Sequence, residues 1–165
     1  MTTNLELIPN YIVIGERNYE EALDLVIAHA QNELLIFDAD LNRGGYNSQK
    51  RFMLINQFLA KQPQNRLTII LLNADFFIQQ CPRMSDLLKN YNHKMTVYKT
   101  KDAAKIAQDS FVIADKQHYI RRFNIDQARF KFAFDDKVNS AQLLGRFNEL
   151  LEETTESISY NQLGL

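Results

Sequence analysis

The 165-residue chain is 45% hydrophobic and 11% aromatic, with nineteen Lys+Arg against twenty Asp+Glu for a net charge of -1. These proportions exclude the disordered class and any bulk preference for polyanions or polycations. The length predicts one domain over residues 1–165 with a sizeable core, and the single Cys81 excludes an internal disulfide or a cysteine-built metal site. No apolar run approaches the length of a membrane helix, and MTTNLELIPN lacks a signal-peptide pattern, so a cytoplasmic protein with no membrane partner is expected. Charge is unevenly spread. Residues 1–60 carry four basic and eight acidic side chains, residues 61–137 fourteen and eight, and residues 138–165 one and four. The basic middle suits either a phosphate-facing surface or a mixed, solvated one.

In chain order, Ile8 to Ile14 (IPNYIVI) is β-rich and opens on a proline at its second position, as an edge strand can. Asn18 with Glu21 resembles a capping box, and Ala22, Leu25, Val26, His29 and Ala30 then follow at helical spacing through about Gln31. His29 reads as a core-edge histidine rather than a ligand. Glu33–Asp38 (ELLIFD) predicts a buried strand, followed by a loop with two glycines. Ser48 caps a helix buried through Phe52, Ile55, Phe58 and Leu59, and Pro63 ends it. Leu67–Leu72 (LTIILL) is the strongest central-strand signal. A helical turn over Ala74–Gln80 and a helix starting near Pro82 come next, then a strand at Lys94–Lys99 and a helical connection over Thr100–Ala107.

Three strand-like runs follow, SFVIAD, HYIRRF and RFKFAF. Phe111, Val112 and Ile113 suit a strand buried on both faces, whereas Phe130, Phe132 and Phe134 alternate with Arg129, Lys131 and Ala133, as in an edge or half-exposed strand. A last helix runs from about Ser140 to Glu153 after a cap at Asn139, with Leu143, Leu144, Phe147, Leu150 and Leu151 on one stripe. The tail TTESISYNQLGL shows little periodicity and is expected on the surface or against a partner. The alternation predicts an α/β domain with a mixed, mostly parallel sheet and helices on both faces.

Within that order, Gln108-x-Ser110-x-x-x-x-Asp115 has the spacing of the His-x-Lys-x-x-x-x-Asp motif of phospholipase D-type phosphodiesterases. In that family the His attacks phosphorus and the Lys stabilises the charged oxygens. Glutamine cannot accept a phosphoryl group as imidazole does, and serine carries no positive charge. ELLIFDADL, a helix, and RLTIILLN resemble the family's opening strands, MTVYKT before SFVIAD the approach to its catalytic strand, and LLGRFNELLEE its closing helix. The chain therefore resembles one phospholipase D-like half with a degenerate motif. Where the family places a Gly-Ser pair and an Asn, this chain has Arg121-Arg122-Phe123-Asn124, of which only Asn124 matches. The stretches CPRMSDLL, HYIRRFNID and LGL further resemble a bacterial domain of unknown function encoded with, or fused to, GNAT-family N-acetyltransferases.

Four groups of residues are candidates for sites. Arg121 and Arg122 with His118, Arg129 and Asn124 suggest an anion site, although adjacent strand residues face opposite ways; the alternative is pairing with Asp115 or Asp126. Asp38, Asp40, Arg43 and Tyr46 follow a buried strand where α/β ligands tend to sit, and the two carboxylates suit either a divalent cation or loop and cap roles, the second being favoured. Lys94, Lys99, Lys101, Lys105 and Lys116 with Tyr91 and Tyr98 suit either a nucleic-acid surface or a solvated edge. His118 or His93 could replace the missing histidine. There is no Gly-x-Ser-x-Gly, no phosphate-cradling glycine loop and no cofactor or metal motif, and none is expected. The reading is a non-catalytic phospholipase D-like binding or regulatory module, partnered with an acetyltransferase or with a second copy as a homodimer. The alternatives are a phosphodiesterase or nuclease with a relocated histidine, or a nucleic-acid-binding protein.

Overall fold

A computed structural model describes residues 7–101 and 106–159. The elements in order are β1 (Ile12–Ile14), α1 (Glu16–His29), β2 (Glu33–Asp38), α2 (Gln49–Lys61), β3 (Arg66–Leu71), α3 (Asp75–Gln80), α4 (Pro82–Asn90), β4 (Met95–Thr100), β5 (Ser110–Ala114), β6 (His118–Asn124), β7 (Gln127–Ala133), α5 (Lys137–Glu152) and β8 (Thr154–Ser157). The eight strands form one sheet in the order β1-β7-β6-β5-β2-β3-β4-β8.

Only β2–β3 and β3–β4 pair in parallel. The other five pairings are antiparallel. The expectation of a mostly parallel sheet is thus corrected to a mixed, mainly antiparallel one. The physical reason is connection length. A helical crossover is needed to bring a strand back parallel, and the chain makes only two such crossovers within the sheet. The β5–β6 and β6–β7 connections are only three and two residues long, which permits only antiparallel neighbours there. The β5–β6 turn has Asp115 and Lys116 at φ 55° and 60°, with Gln117 N–H donating to Ala114 O at 3.1 Å, the hairpin geometry whose twist matches the strands.

Helices cover both faces unequally. α1, α2 and α4 pack on one face over Leu34, Ile36, Leu67, Ile69, Val112, Ile120, Phe130 and Phe132. On the other face α5 sets Leu143 and Phe147 against Phe37, Ile70, Phe111, Ile113 and Tyr119. Three local expectations are revised. α1 begins at Glu16 behind Gly15, and Asn18 lies inside its first turn, where its amide donates to Ile14 O at 3.0 Å. Its buried stripe is Tyr19, Ala22, Leu23, Val26 and Ile27, leaving Leu25 and His29 exposed. α5 is capped by Asp136, which accepts the Asn139 N–H at 3.0 Å, so Asn139 is not the cap itself. The tail, expected on the surface, lies there as the edge strand β8, paired antiparallel with β4. The helical connection expected over Thr100–Ala107 lies largely outside the described residues, and so does Lys105.

No helix among the described residues is long and apolar enough to cross a membrane. The loop between β2 and α2 turns back on α1 at Gly44, where φ is 89° and a Cβ would stand 2.6 Å from Leu23 Cδ1. Only glycine fits there.

Candidate functional site

The carboxyl ends of the parallel strands, where open α/β sheets receive ligands, carry a small cavity of about 110 Å³. Asp38 ends β2, Ser110 starts β5 beside it, and Arg122 lies opposite Ser110 on β6. Asp40 and Arg43 from the following loop and Ile125 and Asp126 from the β6–β7 turn close the rim.

Arg122 is 1% exposed, and α1 reaches across to satisfy it. Its two Nη atoms donate to the Glu16 carboxylate at 2.6 and 2.9 Å, Nε donates to Asn124 O at 3.1 Å, and Nη2 also donates to Ile125 O at 2.9 Å. The guanidinium lies 4.9 Å over the Tyr19 ring. These hydrogen bonds hold the Glu16 carboxyl below its ordinary range. Arg43 donates to Ile125 O and lies 3.5 Å from Asp126. Both arginines at this edge already face carboxylates, and the two acidic residues Asp38 and Asp40 stand beside them.

Asp38 accepts the N–H groups of Leu41 at 2.6 Å and Asp40 at 3.2 Å. Burial pushes its carboxyl from the ordinary 3.8 up to about 6, against those N–H bonds, which favour the carboxylate. Since the folded form holds the proton more tightly than the unfolded chain, the contribution of Asp38 to stability is whole below about pH 3.8 and is lost as pH rises through about 6. Asp38→Asn removes this loss. Relative to wild type, its unfolding free energy is expected to improve by about 2–3 kcal/mol between about pH 4 and about pH 7.5, measured by urea titration. A difference that does not change with pH would contradict this assignment.

Asp40 accepts the Asn42 N–H at 2.9 Å, a local turn bond. Tyr46 is not at the rim. It is 1% exposed beneath the buried Arg51, whose guanidinium lies 4.7 Å over its ring, and burial raises its hydroxyl well above the ordinary range. Among the described residues no group of three or more His, Cys, Asp or Glu is placed to hold a metal ion.

The Gln108-x-Ser110-x-x-x-x-Asp115 stretch spans the sheet from end to end. Gln108 sits beside Asn124 at the carboxyl edge, Oε1 accepting from Nδ2 at 3.5 Å, and Ser110 Oγ is 3.3 Å from the Tyr19 hydroxyl. Asp115 is at the opposite edge. Its carboxylate accepts three backbone N–H groups, of Gln31 at 2.8 Å, Asn32 at 2.8 Å and Glu33 at 3.0 Å.

The five residues expected to share an anion site are parted by the pleat and by strand direction. Arg122 and Asn124 lie near the carboxyl-edge cavity. Arg121 and Arg129 point to the α5 face, with guanidinium groups 5.3 and 5.6 Å from the Phe123 ring centroid. His118 lies at the amino edge, accepting the Asp135 N–H at Nδ1 (3.0 Å) and packing with His29 and Phe134. The lysines also scatter. Lys94 is 7% exposed and donates from Nζ to Leu59 O and Gln62 O. Lys116 is at the amino edge, and Lys99 and Lys101 at the other. Sequence reading missed Glu16 and Tyr19, which reach the site from a helix 106 and 91 residues away from their partners. No local pattern signals such a contact.

Solved structures share this architecture. Nuc from Salmonella typhimurium, a phospholipase D family member, superposes with a TM-score of 0.62 at 8% identity, over 90% of this chain and 98% of its own. The phosphatidylserine synthase of Haemophilus influenzae Rd KW20 gives 0.62 at 12% identity, over 93% of this chain and 40% of that one. TrmBL2, an archaeal chromatin protein, gives 0.62 at 15% identity over 93% of this chain, which spans only 55% of TrmBL2. The fold is therefore phospholipase D-like. The chain belongs to the family described as a domain of unknown function (DUF7931), whose model matches residues 16–163. No curated protein matches the sequence.

Proposed function

We infer that the chain is a non-catalytic binding or regulatory module on a phospholipase D-like scaffold. The observation that carries this reading is the position of its histidines. The chain has three, His29, His93 and His118, and all lie at the amino edge of the sheet, away from the Asp38–Ser110–Arg122 cavity. His118 is four residues from Arg122 along β6, which at strand rise separates them by about 13 Å. His93 precedes Met95, which pairs with Leu67 at the start of β3. A relocated-histidine phosphodiesterase needs an imidazole within hydrogen-bond reach of the reacting group. By the spacing of the resembled motif, Gln108 and Ser110 would stand where the nucleophile and the cation are, and their chemistry supports the reading of a degenerate motif.

TrmBL2, an archaeal chromatin protein whose structure shows a novel mode of DNA binding, shares this fold over 55% of its length, which is compatible with a binding role here. An acetyltransferase partner or a second copy of the chain is proposed on the sequence resemblance alone.

The test is hydrolysis of bis-p-nitrophenyl phosphate and of a labelled DNA single strand, wild type beside His118→Ala. Neither protein is expected to release product above the buffer blank. Turnover by wild type that disappears in His118→Ala would overturn the reading.

A further inference from the structure

The α5 face of the sheet is only partly covered. α5 packs against β4, β5 and β6, and between it and the β1–β7 edge lies a cleft of about 610 Å³. That volume falls within the range of small-molecule sites, about 300–1,000 Å³, and is several times that of the carboxyl-edge cavity. Its apolar wall includes Tyr11 and Ile12, 67% and 50% exposed, with Phe123 and Leu143. Strand parity explains the exposure. Val13 points into the core, whereas Ile12, paired with Lys131, faces the cleft together with Arg121.

Charge in the cleft is one-sided. Arg121, Lys131 and Arg146 line it with no acidic side chain among the lining residues; Asp109, 5% exposed, lies beneath them, and Asp136 and Glu149 stand near enough to act on Lys131 and Arg146. Asp109 accepts Nε of Arg121 at 2.9 Å and both Nη groups of Arg146, one at 2.8 Å. Burial works against the Asp109 carboxylate, but these bonds outweigh it and keep the carboxyl below its ordinary range. One carboxylate thus anchors two guanidinium groups, and with Lys131 the lining stays cationic, Asp136 and Glu149 offsetting part of that charge from outside it. Arg121, bound to Asp109 through Nε alone and 40% exposed at its side chain, is the guanidinium best placed to meet a second anion.

We propose that this cleft binds a small amphipathic organic anion, a carboxylate or phosphate carried on a flat or acyl apolar body. Arg121 and Lys131 take the charged head, and Tyr11, Ile12, Phe123 and Leu143 cover the body. The assignment rests on the reading of the chain as a binding module and supplies its ligand class.

The probe is 8-anilinonaphthalene-1-sulfonate, an aromatic sulfonate whose fluorescence reports binding directly in a chain without tryptophan. Wild type is expected to bind it saturably. Arg121→Gln and Ile12→Glu, the latter placing a carboxylate on an exposed residue, should each weaken binding at least tenfold with unchanged circular dichroism. Met53→Glu, exposed on α2 across the sheet, should not. Dodecanoate and dodecyl phosphate, which share one apolar body, compete as displacers, and the stronger identifies the head group. Inorganic phosphate at the same concentration should displace little. Equal binding by Ile12→Glu and wild type, no displacement by either organic anion, or full displacement by inorganic phosphate would each overturn the proposal. Those failures leave the module reading intact, whereas phosphodiester turnover in the hydrolysis assay would sink that reading without altering probe binding.

Discussion

Arg122→Met is expected to lower the unfolding free energy by about 3–5 kcal/mol, the range for removing one partner of a buried ion pair. Met conserves much of the side-chain volume, so the loss is mainly polar. Four hydrogen bonds disappear, and the carbonyls of Asn124 and Ile125 lose their charged donor. The Glu16 side chain is 56% exposed and can turn to water, which places the cost toward the lower end of that range. Glu16→Gln leaves the buried Arg122 guanidinium, 1% exposed, without its carboxylate, so it should cost about 3 kcal/mol although one acceptor oxygen remains. Urea unfolding at pH 7 with an unchanged slope measures both variants. A loss under about 0.5 kcal/mol for Arg122→Met, the range of ordinary surface substitutions, would mean that Arg122 is not a structural tie between α1 and β6.

Asp115→Ala is expected to cost about 3 kcal/mol. Three backbone N–H groups at the start of β2 lose a charged acceptor, each such bond contributing about 1.5–3 kcal/mol before water compensates. Alanine must also hold φ near 55°, which asparagine tolerates far better. Asp115→Asn, which keeps an acceptor and the turn, should therefore lose about 1 kcal/mol. Both variants, while folded, should bind the sulfonate probe as wild type does, since Asp115 lies at the other end of the sheet. Equal losses for Ala and Asn would refute the capping role.

Much of this fold is legible where a signal is local. Glu33–Asp38, the Ser48 cap, Pro82 at the start of α4 and the three closing strands each follow from side-chain period or backbone chemistry within a few residues. The sheet order is not legible in that way, because β5 enters antiparallel beside β2 and the edges are filled by β1 and β8, strands of three and four residues whose partners decide their existence. Arg51 and Arg122 escape notice because arginine is usually exposed, and each is buried here by a carboxylate and a tyrosine ring supplied from another element. The candidate site divides likewise. The Gln108 and Ser110 end of the motif is brought to the carboxyl edge, but which arginine faces which side depends on the pleat and on β6 running back toward that edge. The α5-face cleft combines residues from positions 10–12, 119–131 and 139–146 and has no linear signature.

If the chain is a non-catalytic module, none of its groups accepts a phosphoryl moiety. The most direct measurement is a single-turnover experiment with protein in slight excess over bis-p-nitrophenyl phosphate, following nitrophenolate release and the intact mass of the protein together. No burst and an unchanged mass over hours are expected. A burst approaching one equivalent, with a p-nitrophenyl phosphoryl adduct on His29, His93 or His118 that retains the second ester, would show a working nucleophile and sink the non-catalytic reading.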